Sequence, residues 1–83
     1  MRITVTKKHI KRGRPSESDF CPIALALKSV GVKNPNVDAD TIDGLRRGTN
    51  FTKSTPDKLA RFIARFDDGN PVKPFSFDIA LPA

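Results

Sequence analysis

The longest water-averse stretch of the chain is Phe20–Leu27, where seven of eight residues are apolar and Pro22 is the exception. Ile23, Leu27 and Val30 are spaced i, i+4, i+7 and share one helix face. Ala24, Leu25 and Ala26 fill the flanks, so the helix is apolar nearly all round, which is the pattern of a buried element. Asp19 is placed to accept the orphan amides as N-cap, Pro22 is tolerated in the first turn, and Gly31 suits the left-handed C-terminal position. The pattern therefore predicts a central helix over about 20–30, covered by the rest of the chain.

Around it the other elements follow in order. Arg2–Thr6 alternates polar and apolar residues and is β-branched, a strand with Ile3 and Val5 inward. Thr6 is suited to cap a short helix, Lys7 to Arg12, that Gly13 closes and Ile10 anchors. Ser16–Ser18 reads as a polar loop, and so does 32–36. Val37–Ile42 alternates weakly and predicts a strand. Asp43-Gly44 is a strong two-residue hairpin signal, after which Leu45–Arg47 begins a return strand and Gly48–Asn50 marks a bulge or bend before Phe51. Thr55-Pro56 reads as an N-cap with Pro at the first helical position. Leu59, Phe62, Ile63 and Phe66 then recur at i, i+3, i+4, i+7, with Lys58, Arg61 and Arg65 on the outer face and Gly69 at the end. After an extended connector at 70–74, Phe75, Phe77, Ile79 and Leu81 alternate inward. The order β–α–α–β–β–α–β predicts a small single α+β domain over 1–83, with a three- to four-stranded, mainly antiparallel sheet packed on the central helix and the C-terminal amphipathic helix.

Size and composition set the bounds. A chain of 83 residues buries only about 60–65% of its unfolded surface, so one small core is the limit. No run approaches a membrane span, and the N-terminus turns charged at once without an apolar leader region. A single cysteine cannot close an internal disulfide, which fits a reducing cytoplasm.

Charge changes the picture more than length does. Residues 1–33 hold eight basic and two acidic residues, whereas 34–83 hold seven of each, so the whole net charge of +6 belongs to the N-terminal part. Lys7, Lys8, Lys11, Arg12 and Arg14 form its centre with no acid among them. Such asymmetry points to an anionic partner; its bland counterpart is a solvated face that keeps a small protein in solution. Arg12-Gly13-Arg14-Pro15 looks like the core of an AT-hook, in which an extended Arg-Gly-Arg lies in a narrow A·T minor groove. That reading competes with Gly13 as the end of a helix.

Catalytic and metal chemistry finds little material. Cys21 lies near a helix N-terminus, where the dipole lowers a thiol pKa, and with His9 it would supply a nucleophile and a base; no third group orients such a pair, and a small buried hydrophobe is the usual fate of a lone cysteine. Aligning Asn36, Asp38 and Asp40 to an EF-hand loop puts Thr41 where glycine is needed and Arg47 where glutamate is needed, which excludes that site. One histidine and one cysteine fall short of the ligand sets of structural zinc. No cofactor is expected.

His9-Ile10, Gly13, the run Cys21–Leu27, Phe66-Asp67 and Pro74–Phe77 together resemble a family of small bacteriophage and bacterial proteins without an assigned activity. The resemblance spans both ends of the chain and is weak between about 32 and 54. It implies a setting in the host cytoplasm and an accessory role, and it carries no functional residue over. The expectation is a non-enzymatic binding protein that modulates or inhibits a host defence or nucleic-acid-processing factor through Lys7, Lys8, Lys11, Arg12 and Arg14. Its partner is a host protein or protein–nucleic acid complex and not a membrane, with the oligomeric state open. The alternative is a DNA- or RNA-binding module, sequence-nonspecific or A·T-preferring. A cysteine-dependent enzyme stands last.

Overall fold

The computed structural model describes residues 1–82. Strand β1, Arg2–Val5, buries Ile3 and Val5 completely and leaves Arg2 and Thr4 in water, as the alternation requires. Helix α1, Lys7–Arg12, begins with a reciprocal cap: the His9 amide donates to Thr6 Oγ1 at 3.3 Å and the Thr6 amide donates to His9 Nδ1 at 3.1 Å. Two of the orphan donors at the helix start are thereby satisfied reciprocally. The Gly13 amide closes the helix on the His9 carbonyl at 2.8 Å.

Helix α2, Pro22–Ser29, is the buried centre; Ile23, Ala24, Ala26 and Leu27 have no exposed surface, and the helix packs on α1, β1 and the strand that follows it. Its start differs from the sequence expectation. Cys21, not Asp19, is the N-cap, and its Sγ accepts the Ala24 amide at 3.4 Å. Proline disfavours helical backbone in the residue before it, so Cys21 is held extended at φ −69°, ψ 162° and the helix cannot begin at Phe20. The far end is as expected. Gly31 sits at φ +91°, its amide reaches the Lys28 carbonyl and the Val32 amide reaches the Leu27 carbonyl, each at 3.1 Å. These two bonds make a Schellman motif.

The middle of the chain is a three-stranded antiparallel meander of β2, Lys33–Val37, β3, Thr41–Arg46, and β4, Thr49–Ser54, in that order. Here the sequence expectation is corrected. The stretch 32–36 is largely strand rather than loop, residues 38–40 make the first turn, and Asp43-Gly44 lies inside β3, where Gly44 pairs with Phe51. The tight turn is four residues further on, at Arg47-Gly48. Both residues have positive φ, 51° and 78°, as a type I′ hairpin demands. Gly44 is glycine for a packing reason: a Cβ there would stand 2.6 Å from Val32 Cγ1. The first turn is fixed by Asp38, whose carboxylate accepts the amides of Asp40 and Thr41 at 2.8 Å each. The Thr41 and then the Asp40 amide hold that carboxyl below its ordinary pKa.

Helix α3, Asp57–Asp67, buries Leu59, Phe62 and Ile63 and exposes Lys58, Arg61 and Arg65, the two faces the periodicity predicts. Pro56 occupies the N-cap in place of Thr55, because the Thr55 hydroxyl donates to the Asp38 carbonyl at 2.8 Å and its amide to the Asp40 carbonyl at 3.0 Å. Strand β5, Phe75–Asp78, stops short of Leu81 and pairs antiparallel with β1, from Arg2 opposite Asp78 to Val5 opposite Phe75. The α+β class stands, but its five strands form two sheets, β1–β5 and β2–β3–β4, rather than one sheet of three or four. One apolar cluster joins residues of all five strands, α2 and α3, with Ile10 of α1 packed against it.

Candidate functional site: a basic face around Phe20

Lys7, Lys8, Lys11 and Arg12 are exposed on α1, with Ile10 turned to the core. Lys7 and Lys11, and likewise Lys8 and Arg12, are four apart, so the cations form two neighbouring rows on one helix surface. The structure thus brings together the basic residues the sequence singled out. Arg14 follows in a loop that is pinned at both ends. Its amide donates to the Phe20 carbonyl at 2.9 Å, the Phe20 amide to the Glu17 carbonyl at 3.1 Å, and the Val37 amide to the Ser18 carbonyl at 2.9 Å. The Ser16 amide, on a residue with φ 62°, reaches the Asp67 carboxylate of α3 at 2.8 Å. Gly13 lies against Pro22, where a Cβ would come within 2.7 Å of two ring carbons. The Arg-Gly-Arg run is therefore folded into the body of the protein; it is not the extended arm that minor-groove insertion of an AT-hook needs.

Phe20 and Lys28 lie beside Arg14. Phe20, assigned to the buried helix, lies outside it and is 37% exposed. The Lys28 ammonium stands 4.2 Å from its ring centroid and the Arg14 guanidinium 5.3 Å, so the ring carries two cation–π contacts. The signal was present in Cys21-Pro22, since a residue two before a proline falls outside a helix that the proline starts. Arg14 pairs with the Glu17 carboxylate at 4.0 Å with both side chains well exposed, a contact of little energetic weight.

Comparison with protein-family models, curated proteins and solved structures finds no match.

The Cys21 and His9 pair takes another course. Cys21 is 3% exposed. Burial pushes its thiol up, against the smaller opposing effect of the Ala24 and Ile23 amides, so desolvation overrides the helix terminus expected to lower it. Burial, reinforced by Lys8, holds the His9 imidazole below its usual pKa, consistent with an Nδ1 free to accept the Thr6 amide. No hydrogen bond joins the two side chains, and no group of three His, Cys, Asp or Glu is placed to hold a metal, among the described residues. A thiol reagent at neutral pH is expected to modify native Cys21 at least about a hundredfold more slowly than the urea-unfolded chain, because a buried, protonated thiol is a poor nucleophile. Comparable rates, followed by absorbance, would show an accessible thiolate.

Arg46 is a residue whose role sequence reasoning missed. It is 8% exposed; Nε donates to the Val30 carbonyl at 3.1 Å and Nη1 to the Pro82 carbonyl at 2.6 Å. It ties the negative end of α2 to the C-terminal segment. Among the described residues no helix is long and apolar enough to cross a membrane.

Proposed function

We propose that the protein is a non-enzymatic accessory binding protein that docks its basic N-terminal face on an acidic protein surface, as an inhibitor of a nucleic-acid-processing or defence factor would. The observation that carries this reading is Phe20: an exposed aromatic flanked by Arg14 and Lys28, in the loop that follows the helix bearing Lys7, Lys8, Lys11 and Arg12. Aromatic and arginine side chains with an apolar centre and a charged surround are the usual anchors of protein interfaces. Surrounding positive charge steers an acidic partner and fixes register more than it adds affinity. The resemblance to small phage proteins supports a host factor as that partner, and with it a cytoplasmic location.

Direct binding of nucleic acid is the second reading, favoured by the two cation rows of α1. The K11A/R12A/R14A variant separates the two. A protein target retained from nuclease-treated host lysate by the wild type should be lost by the variant, while duplex binding stays weak and sequence-blind. Under the second reading, wild-type affinity for duplex falls with a log–log salt slope of about −3 to −5, and the variant flattens it by up to about three phosphates' worth. If the variant keeps every partner of the wild type, the face is a solvated surface and both readings fail.

A further inference from the structure

We propose that the groove between α3 and the connector 70–74, with Phe75 at the start of β5, is a binding site for a nucleoside phosphate. This goes beyond the reading above, since no cation of α1 and no part of the Phe20 face lines it. The groove is a cavity of about 420 Å³, in the range of small-molecule sites and large enough for one nucleotide but not for a duplex. Phe62, Phe75 and Val72 make its apolar wall, with the Phe62 and Phe75 rings 4.8 Å apart at 47°. Lys58, Arg61, Arg65 and Lys73 surround it, and no acidic residue lines it.

Two of the four cations are positioned by the backbone they hold. Lys58 Nζ donates to the Ser76 carbonyl at 3.2 Å and lies 5.2 Å from the Phe75 centroid. Arg65 Nη2 donates to the Pro71 carbonyl at 3.1 Å. These contacts draw the connector onto the helix and set two charged heads at the groove. Among the described residues none of the four forms an ion pair with a carboxylate; the two ion pairs of the structure are Arg2–Asp78 and Arg14–Glu17.

The chemistry of the occupant follows from this inventory. Four like charges around a space for one small molecule repel one another, and a polyanion relieves that repulsion. A single carboxylate would answer one or two of them, whereas a phosphate offers several oxygens to Arg and Lys together. Phe75, the half-buried ring of this wall beside the core residue Phe62, adds an apolar surface for a flat ring such as a nucleobase. A phosphate joined to a planar base satisfies both halves of the groove. Such a group comes either from a free nucleotide or from one unit of a single strand.

Titration calorimetry on the full chain tests this with adenosine monophosphate, ATP, inorganic phosphate, adenosine and a hexathymidylate strand. Saturable, salt-sensitive binding of a nucleotide or the strand is expected, tighter than either inorganic phosphate or adenosine. Arg61→Ala with Lys73→Ala, both exposed and outside the core, should weaken it by about tenfold or more, and Phe75→Leu should weaken it while sparing inorganic phosphate. Tighter binding of the strand than of the mononucleotides assigns the strand as source, and the reverse assigns the free nucleotide. The K11A/R12A/R14A variant should bind mononucleotide as the wild type does, so failure of this site and failure of the α1 face are read separately. The proposal is overturned if neither nucleotide nor strand binds at millimolar concentration, if inorganic phosphate binds as tightly as either, or if the Arg61 and Lys73 variant, shown folded by circular dichroism, keeps wild-type affinity.

Discussion

Leu27→Ala is expected to lower the unfolding free energy by about 2–5 kcal/mol, the range for removing a buried leucine and leaving a cavity. Leu27 has 0% exposure and sits where several constraints meet. It lies one turn after Ile23 on the face of α2 that the core covers, and its carbonyl accepts the Val32 amide of the Schellman motif at 3.1 Å. Helix α2 touches α1, β1 and β2 at once, so no single neighbour can shift to fill the void without disturbing the others. Domains of this kind have only about 5–15 kcal/mol to lose, and the variant should unfold at distinctly lower urea. Lys28, the next residue, is exposed, and its loss removes one cation–π contact with Phe20. Lys28→Ala should therefore cost no more than about 1 kcal/mol. Equal shifts in the two urea midpoints would show that α2 is not the centre of the fold.

Gly44→Val is the second large effect, and its sign is decided by two opposed terms. Valine favours strands, but measured strand preferences span only about 1 kcal/mol. Against that, the first added carbon would stand 2.6 Å from Val32 Cγ1 and 3.4 Å from the Phe51 ring, and Val32 and Phe51 are themselves buried. Overpacking of this type costs about 1–3 kcal/mol and occasionally more, so the variant should be destabilised by roughly 3 kcal/mol. Gly48→Ala, at φ +78° with open space around it, should lose about 1 kcal/mol through backbone strain alone. Thermal melts in which Gly44→Val matches or exceeds the wild type would show that β3 carries no close contact there.

These two sites also show what the sequence discloses and what it withholds. The faces of α2 and α3 are legible because burial repeats with the helical period, and Ile23, Leu27, Leu59 and Phe62 are buried accordingly. The caps at Thr6 and Gly31 are legible because they depend on a residue's own hydrogen bonding or φ. Asp43-Gly44 misleads because one glycine serves two needs, a positive φ in a turn or the absence of a side chain beneath a neighbour, and only the fold tells which. The true turn, Arg47-Gly48, hides its first residue, since arginine is an uncommon choice at positive φ. The split into two sheets is likewise hidden: alternation says that β1 and β5 are strands, but pairing partners are set by distance in space. In the basic region, composition marks Lys7 through Arg14, while Phe20 meets Arg14 only through the loop that Pro22 forces to end at Cys21, and Lys28 reaches the ring from α2. The α3 groove was half visible: Lys58, Arg61 and Arg65 stand on an outer face by periodicity, and the wall opposite them belongs to a connector that has none.

The pairing of β1 with β5 has a consequence for the protein's birth. Thr4 and Ser76, whose hydroxyls meet across that ribbon at 3.0 Å, are 72 positions apart in the chain. Closing a loop of that length costs about 4 kcal/mol of chain entropy before any contact rewards it. On the ribosome, Ile3 and Val5 are made well before Phe77, against which Ile3 pairs. The β2–β3–β4 meander has short-range partners and is free to form meanwhile. Vectorial synthesis thus yields a nascent chain with a structured middle and an uncovered β1, and the core is sealed only after β5 has been made and can reach it.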